Sequence, residues 1–285
     1  MAGILISIMF RKYGSLGLFM ILFSQLNFIL RIQPFANWYF PIIWFGYILL
    51  VDAIVFSLSR ESLITSRPKI FLFLLLLSAV VWWAFELIGF VLGNWHYTGT
   101  QGFSGPFEKF AFATVSFSTV IPAVFETALL LKTVHLFDSV RLEKKHRITK
   151  HMLYGLIFLG MLSFMAPLLY PQFFYPFIWL SFFLILDPIN YMHGQPSIIS
   201  HMKDRKLSIP LSVFFGATIC GFLWEFWNYM AIPRWQYTIP FVGFLKVFEM
   251  PLLGYIGYGP FGLELFAMYH FFLWLMHDRK DYLLA

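Results

Sequence analysis

The chain has 285 residues, of which 60% are apolar, 21% aromatic and only 12% charged, whereas soluble domains carry about 25% charged side chains. That composition excludes a nucleic-acid reader, a disulfide-framed secreted domain and a disordered hub, and it describes a polytopic protein with the lipid bilayer as its surroundings. The formal net charge of +6 says little about ligands, because membrane proteins gather Lys and Arg in cytoplasmic loops to set their topology. The single cysteine, Cys220, excludes an intrachain disulfide and a multi-cysteine metal site. The first ten residues lack the basic region and small-residue cleavage site of a signal peptide, so the N-terminus is expected to be retained.

Apolar runs that approach the roughly 20 residues needed to cross a bilayer fall at 14–33, 39–59, 70–93, 109–134, 151–170, 174–193, 208–231 and 252–276. With eight spans, the N-terminus, the loops at 60–69, 135–150 and 194–207 and the C-terminus share one face. Counting Lys132 with its adjacent loop, that face holds sixteen of the twenty Lys and Arg residues, and Arg31, Lys109, Arg234 and Lys246 lie on the other. The asymmetry predicts an integral, multi-pass protein with both termini cytoplasmic.

The chain also repeats itself. Phe40-Pro41-Ile42-Ile43-Trp44 through Asp52 aligns with Tyr175-Pro176-Phe177-Ile178-Trp179 through Asp187 at a constant offset of 135. Downstream, Glu86 matches Glu225, Trp95-His96-Tyr97-Thr98 matches Trp235-Gln236-Tyr237-Thr238, Glu108 matches Glu249, and Pro122 with Glu126 matches Pro260 with Glu264, at offsets of 138 to 141. A collinear series of Pro, Trp, Tyr and acids implies an all-α tandem repeat of two four-helix units, residues 1–134 and 151–285, joined by a basic cytoplasmic linker at 135–150. Because four is even, both copies enter the membrane in the same orientation, related by a pseudo-two-fold axis along its normal.

The acids follow the repeat. Of fourteen Asp and Glu residues, Glu61, Asp138, Glu143, Asp204, Asp278 and Asp281 fall in expected cytoplasmic segments, and the other eight are the pairs Asp52/Asp187, Glu86/Glu225, Glu108/Glu249 and Glu126/Glu264. An acid at the centre of a spanning helix costs about 2.5 to 3.5 kcal/mol on insertion scales, so such residues face the bundle interior and mark function, or else tie helices together by hydrogen bonds. Asp52 and Asp187 lie where a polar or proton relay would begin. The loops at 94–108 and 232–251 each follow a Glu-bearing span, carry Trp-x-Tyr-Thr and end in a Glu beside a Pro. Rich in Gly, Pro and aromatics, they are expected to be re-entrant or lid-like segments on the non-cytoplasmic side. An interfacial aromatic belt accounts for their Trp and Tyr alone, not for the bracketing glutamates.

Pro122 and Pro260 each stand one helical turn before an acid, where a proline frees a carbonyl and opens a polar notch. The stretch Leu253-Gly254-Tyr255-Ile256-Gly257-Tyr258-Gly259-Pro260 has the glycines to break its helix outright, a divergence between the copies. No Asp-rich box for magnesium, no HExxH or clustered histidines, no P-loop, no GxGxxG after a strand and no GxSxG elbow occurs, so neither a metal nor a cofactor is expected.

Buried carboxylic acids stay protonated more readily than exposed ones and become proton donors. One such acid facing an alkene starts a cyclisation or isomerisation, a second, ionised carboxylate ends it, and aromatic faces stabilise the carbocation between them by about 2 kcal/mol or more each when desolvated. Trp82, Trp83, Trp95, Tyr97, Trp224, Trp227, Tyr229, Trp235 and Tyr237 are near the glutamates in sequence. The order Phe85-Glu86, Trp95-His96-Tyr97, Pro106-Phe107-Glu108, followed by Trp224-Glu225, Trp235-Gln236-Tyr237, Glu249-Met250-Pro251, resembles the integral-membrane lycopene cyclase group of carotenoid biosynthesis proteins. The similarity does not extend to the spans holding Asp52 and Asp187. It departs from the group's Glu-Glu doublet, with Glu108-Lys109 and Glu249-Met250 in its place.

The resemblance implies a cofactor-free intramolecular lyase or isomerase acting on an apolar isoprenoid or other lipid. Glu86, Glu108, Glu225 and Glu249, with Glu126 and Glu264, are then the acid and base candidates, and Trp83, Trp95, Tyr97, Trp224, Trp235 and Tyr237 the substrate-binding candidates. The competing expectations are a proton-coupled transporter or permease, whose relay would run from Asp52 and Asp187 to the outer acids, and a multi-pass partner protein without turnover. Acids gathered around one cavity favour the enzyme, and a chain of them reaching both faces favours transport.

Overall fold

The computed structural model describes residues 11–144, 147–276 and 283–284. Seven helical segments are long and apolar enough to cross a membrane: Lys12–Leu30, Tyr39–Ser59, Pro68–Leu92, Pro106–Thr133, Lys150–Leu169, Pro171–Met192 and Ser208–Met230. The protein is thus a mostly helical, multi-pass membrane protein. In chain order the elements are α1 (Lys12–Leu30), α2 (Tyr39–Ser59), α3 (Leu63–Ser66), α4 (Pro68–Leu92), β1 (Trp95–Thr98), α5 (Pro106–Phe117) and α6 (Val120–Thr133) in the first half. The second half contains α7 (Lys150–Leu169), α8 (Pro171–Phe174), α9 (Ile178–Met192), α10 (Ile198–Lys203), α11 (Ser208–Met230), β2 (Arg234–Tyr237), β3 (Lys246–Val247), β4 (Met250–Pro251) and α12 (Tyr258–Leu275).

Local chemistry sets these boundaries. Pro68 and Pro106 open α4 and α5 at a position where no helical N–H is needed. Ser62, Thr149 and Ser197 cap α3, α7 and α10 by accepting from backbone N–H groups of the first turn. The final expected span differs from its outline at 252–276. Residues 252–257 wind as a 3-10 turn, and α12 begins only at Tyr258. It carries Glu264 and His270 and is not one of the seven long apolar segments.

The fourth span is also interrupted, between α5 and α6. Pro122 has no N–H to give, and the break it imposes is stitched by α4. The Ser78 hydroxyl donates to the Phe117 carbonyl at 2.5 Å and accepts from the Ile121 N–H at 3.0 Å, all of it buried. One side chain thereby takes the place of a missing helical hydrogen bond.

Both halves use the same packing scheme. Helix α1 crosses α2 at Gly17 and Gly46, where an added Cβ would come within 2.6 and 2.9 Å of backbone, respectively. Helix α7 crosses α9 at Gly160 against Ser181, with a corresponding approach of 2.9 Å. Small residues at such crossings allow backbones to approach within a membrane. α2 packs on α6 and α9 on α12, while α6 meets α11 across the halves through Gly216 against Ala128. A single buried core runs through α2, α4, α6, α11 and α12, so the two halves share their interior.

The loops at 94–108 and 232–251, expected as re-entrant or lid-like, contain short strands. β1 and β2 pair antiparallel, with Trp95 opposite Tyr237 and Tyr97 opposite Trp235, so one loop from each half makes a single ribbon. The described part of the linker is tied down by Asp138. Its carboxylate meets Lys132 at 2.7 Å, His135 at 2.6 Å and Ser208 at 2.5 Å, joining the end of α6 to the start of α11. Lys132 foremost, then Ser208 and His135, hold this carboxyl below the usual carboxylate range. Its contribution is therefore present above that range and is lost as pH falls through the lowered value.

Ser78→Ala leaves the Ile121 N–H and Phe117 carbonyl without their shared partner in a buried position. It is expected to lower stability by about 1 to 3 kcal/mol, read as a fall in the thermal unfolding midpoint in detergent. An unchanged midpoint would contradict the stitching role.

Candidate functional site

Side chains alternate across a strand, so Trp95 and Tyr97 share one face of β1, and Trp235 and Tyr237 share the matching face of β2. His96 and Gln236 take the other face, opposite each other. The ribbon therefore presents two Trp and two Tyr side by side, one pair from each half. All four line a cavity of about 700 Å³, within the range of ligand pockets. Its walls are largely aromatic and come from both halves, including Trp82, Trp83, Phe117, Trp179, Trp224 and Phe261.

Each ribbon strand hangs over its own glutamate. Glu86, half-buried on α4 and lining the cavity, accepts from Tyr97 at 2.5 Å, from Trp82 at 3.1 Å and from Trp95 at 3.4 Å. The Trp95 ring lies against Gly89, in space that any Cβ there would fill. Glu225, fully buried on α11, accepts from Tyr237 at 2.8 Å and from Tyr258 at 2.5 Å, both on Oε1. Trp235 reaches this group one step removed, donating to the Tyr237 oxygen at 2.8 Å. Asn228 fixes the strand itself with paired bonds of 2.9 Å to the Trp235 N–H and carbonyl.

Tyr97 is 42% exposed, yet its hydroxyl end turns inward onto Glu86. Desolvation first, and then the Glu86 carboxylate, push this phenol well above its ordinary range. Burial and the Glu225 carboxylate do the same to Tyr237. Both hydroxyls therefore keep their protons at neutral and moderately alkaline pH.

Trp83 and Trp224 also reach the cavity, Trp83 with its indole bonded to Thr114 at 3.1 Å and Trp224 packed against Tyr258. The remaining acids are elsewhere. Glu108 sits in the first turn of α5 and accepts from the Ser104 N–H and hydroxyl, each at 2.7 Å, and from Trp38 at 3.0 Å. Glu249 lies 3.9 Å from Arg234. Neither lines the cavity. Glu126 is fully buried beside Asp52 and makes no hydrogen bond of good geometry, and Glu264 accepts from the Phe182 N–H at 2.9 Å.

Asp52 and Asp187 have matching environments far along the chain from the ribbon. Asp52 accepts from the Ile64 N–H at 2.8 Å, from Ser62 at 2.9 Å and from Tyr13, securing the start of α3. Asp187 accepts from the Ile198 and Ile199 N–H groups at 2.7 and 3.0 Å, securing the start of α10. Among the described residues no group of three or more His, Cys, Asp or Glu is arranged to hold a metal ion. Comparison with protein-family models, with curated proteins and with solved structures finds no match for this chain.

Tyr258 and Trp179 are among the cavity residues that the sequence did not mark as site candidates. Trp179 closes the Tyr175-Pro176-Phe177-Ile178-Trp179 stretch and stacks on Phe85 at 5.1 Å. Its counterpart Trp44 is buried among Trp224 and Trp227 instead.

Glu86→Leu removes the common acceptor of Trp82, Trp95 and Tyr97. The expected loss of stability is about 1 to 3 kcal/mol or more, with a smaller loss in Glu86→Gln, which retains an acceptor oxygen. Thermal unfolding in detergent checks this, and equal midpoints for Glu86→Leu and wild type would contradict the carboxylate's role as hub.

Proposed function

We propose that the protein is a membrane-embedded, lycopene cyclase-like enzyme that cyclises or isomerises an apolar polyene isoprenoid by adding and removing a proton. The reading includes a tandem repeat of four-span units with eight spans, both termini cytoplasmic, and one substrate site shared by the halves. The single observation that carries it is the ribbon face. Trp95, Tyr97, Trp235 and Tyr237 stand over one aromatic cavity with Glu86 and Glu225 engaged beneath them.

The chemistry follows from that inventory. The apolar walls suit a hydrocarbon chain, and the π faces of Trp82, Trp83, Trp95 and Trp179 offer stabilisation to a carbocation. Two carboxyl groups served by different donors suit the roles of acid and base. Asp52 and Asp187, whose oxygens are taken up by the starts of α3 and α10, give little support to a proton path through the protein, so the transporter reading is second.

The test is expression in a host that accumulates coloured linear carotenoids, with pigments and total lipids analysed by mass spectrometry. The expected result is a new isomer of the linear pigment with wild type, lost with Glu86→Gln and with Glu225→Gln. No change in any isoprenoid, with both variants indistinguishable from wild type, would overturn the reading.

A further inference from the structure

Glu225 is fully buried yet does not itself line the cavity. It touches the cavity through two phenols, since Tyr237 and Tyr258 both line it and both donate to Glu225 Oε1. Its Oε2 makes no hydrogen bond among the described residues. A buried carboxylate with one oxygen unserved is costly, so this inventory suits the neutral acid. Glu86 is the opposite case, with donors on both oxygens and direct exposure to the cavity.

The difference traces to one exchange between the halves. At the offset of 139 that relates Glu86 to Glu225, Trp82 corresponds to Gly221, and at the offset of 138 that relates Pro122 to Pro260, Val120 corresponds to Tyr258. The first half supplies its glutamate with the Trp82 indole from the glutamate's own helix. The second half has no side chain at that position, and the Tyr258 ring from α12 fills the space that a Cβ on Gly221 would need. An indole N–H only donates, whereas a phenol donates and accepts and therefore passes a proton on. Tyr237 is less suited to that task, because its oxygen already accepts from Trp235.

We propose that Tyr258 is the residue that protonates the substrate, resupplied by Glu225, and that Glu86 is the base that ends the reaction. This rests on the reading of the cavity as a cyclase or isomerase site. The π pair of a substrate alkene takes the Tyr258 hydroxyl proton, forming one C–H bond and leaving a cation on the neighbouring carbon. In the neutral acid the proton of the 2.5 Å contact sits on Glu225 Oε1 and points to the Tyr258 oxygen, which takes it in the same motion, and Glu225 becomes the carboxylate that accepts from Tyr237 and Tyr258. The Glu86 carboxylate then removes a proton from a carbon beside the cation, and that C–H pair becomes the new double bond. One proton enters and one leaves the substrate, so the product is an isomer and neither oxidant nor reductant is consumed. Glu86 releases its proton to water and Glu225 regains one before the next turnover.

The experiment uses the full chain in lipid nanodiscs with a linear carotenoid as the probe. Tyr258→Phe keeps the ring against Gly221 and is expected to fold, with kcat lowered by about 100-fold or more and KM little changed. Glu225→Gln should fall as far, and the double variant no further, as for residues acting in one relay. Tyr255→Phe, whose hydroxyl bonds the Val247 carbonyl at 3.0 Å, should keep wild-type kcat. Wild-type kcat in Tyr258→Phe beside an inactive Glu225→Gln would overturn the relay and leave the cyclase reading standing. Absence of any conversion by the wild type would overturn both.

Discussion

A carboxylate inside an apolar bundle needs donors around it, and this protein supplies them almost entirely without cations. Among the described residues, only Glu249 of the eight repeat-related acids has a Lys or Arg within ion-pair distance. The others, Glu126 excepted, are met by indoles, phenols, hydroxyls and backbone N–H groups. Neutral donors hold a charge in place without cancelling it, which leaves the local field intact for chemistry. The course of the helices answers to this need: α4 and α11 carry the glutamates to the ribbon, and the ribbon exists because each loop must bring its Trp and Tyr down onto one of them. Elsewhere the same constraint ties α3 to α2 and α10 to α9 through Asp52 and Asp187.

Each half of the chain brings one carboxyl group to the cavity, and the two are unlike. Either strand alone would stand over its glutamate with an edge unpaired. Pairing β1 with β2 satisfies that edge and closes a space walled by both halves. The largest difference between the two positions is that Gly221 and Tyr258 stand where the first half has Trp82 and Val120. It turns a fixed donor into a phenol that both donates and accepts, at one of the two sites only.

Much of this was legible in the sequence, because membrane residence makes charge and length informative. The long helices fall within a few residues of the expected spans. The matched Trp-x-Tyr-Thr stretches already pointed to the segments that meet in the ribbon. The ribbon itself was not legible, since strand pairing between residues 140 apart is a tertiary event and short Gly- and Pro-rich loops carry no strand periodicity. Glu108 matched Glu249 in the repeat, but nothing local revealed that Trp38 and Ser104 would engage it at the head of α5. Ser78 was invisible for the same reason, one serine in an apolar run whose partners lie in another helix. Tyr258 left a signal only as a mismatch: reading for what the repeat shares passes over the residues in which it differs.

The central claim is that the cavity adds a proton to carbon and removes another. Its most direct measurement is conversion of a linear carotenoid by the purified protein in deuterium oxide, with the product analysed by mass spectrometry. The account predicts an isomer of the substrate carrying one non-exchangeable deuterium for each ring or shifted double bond. A product of unchanged isotopic mass, or one that has gained oxygen or lost hydrogen, would contradict it.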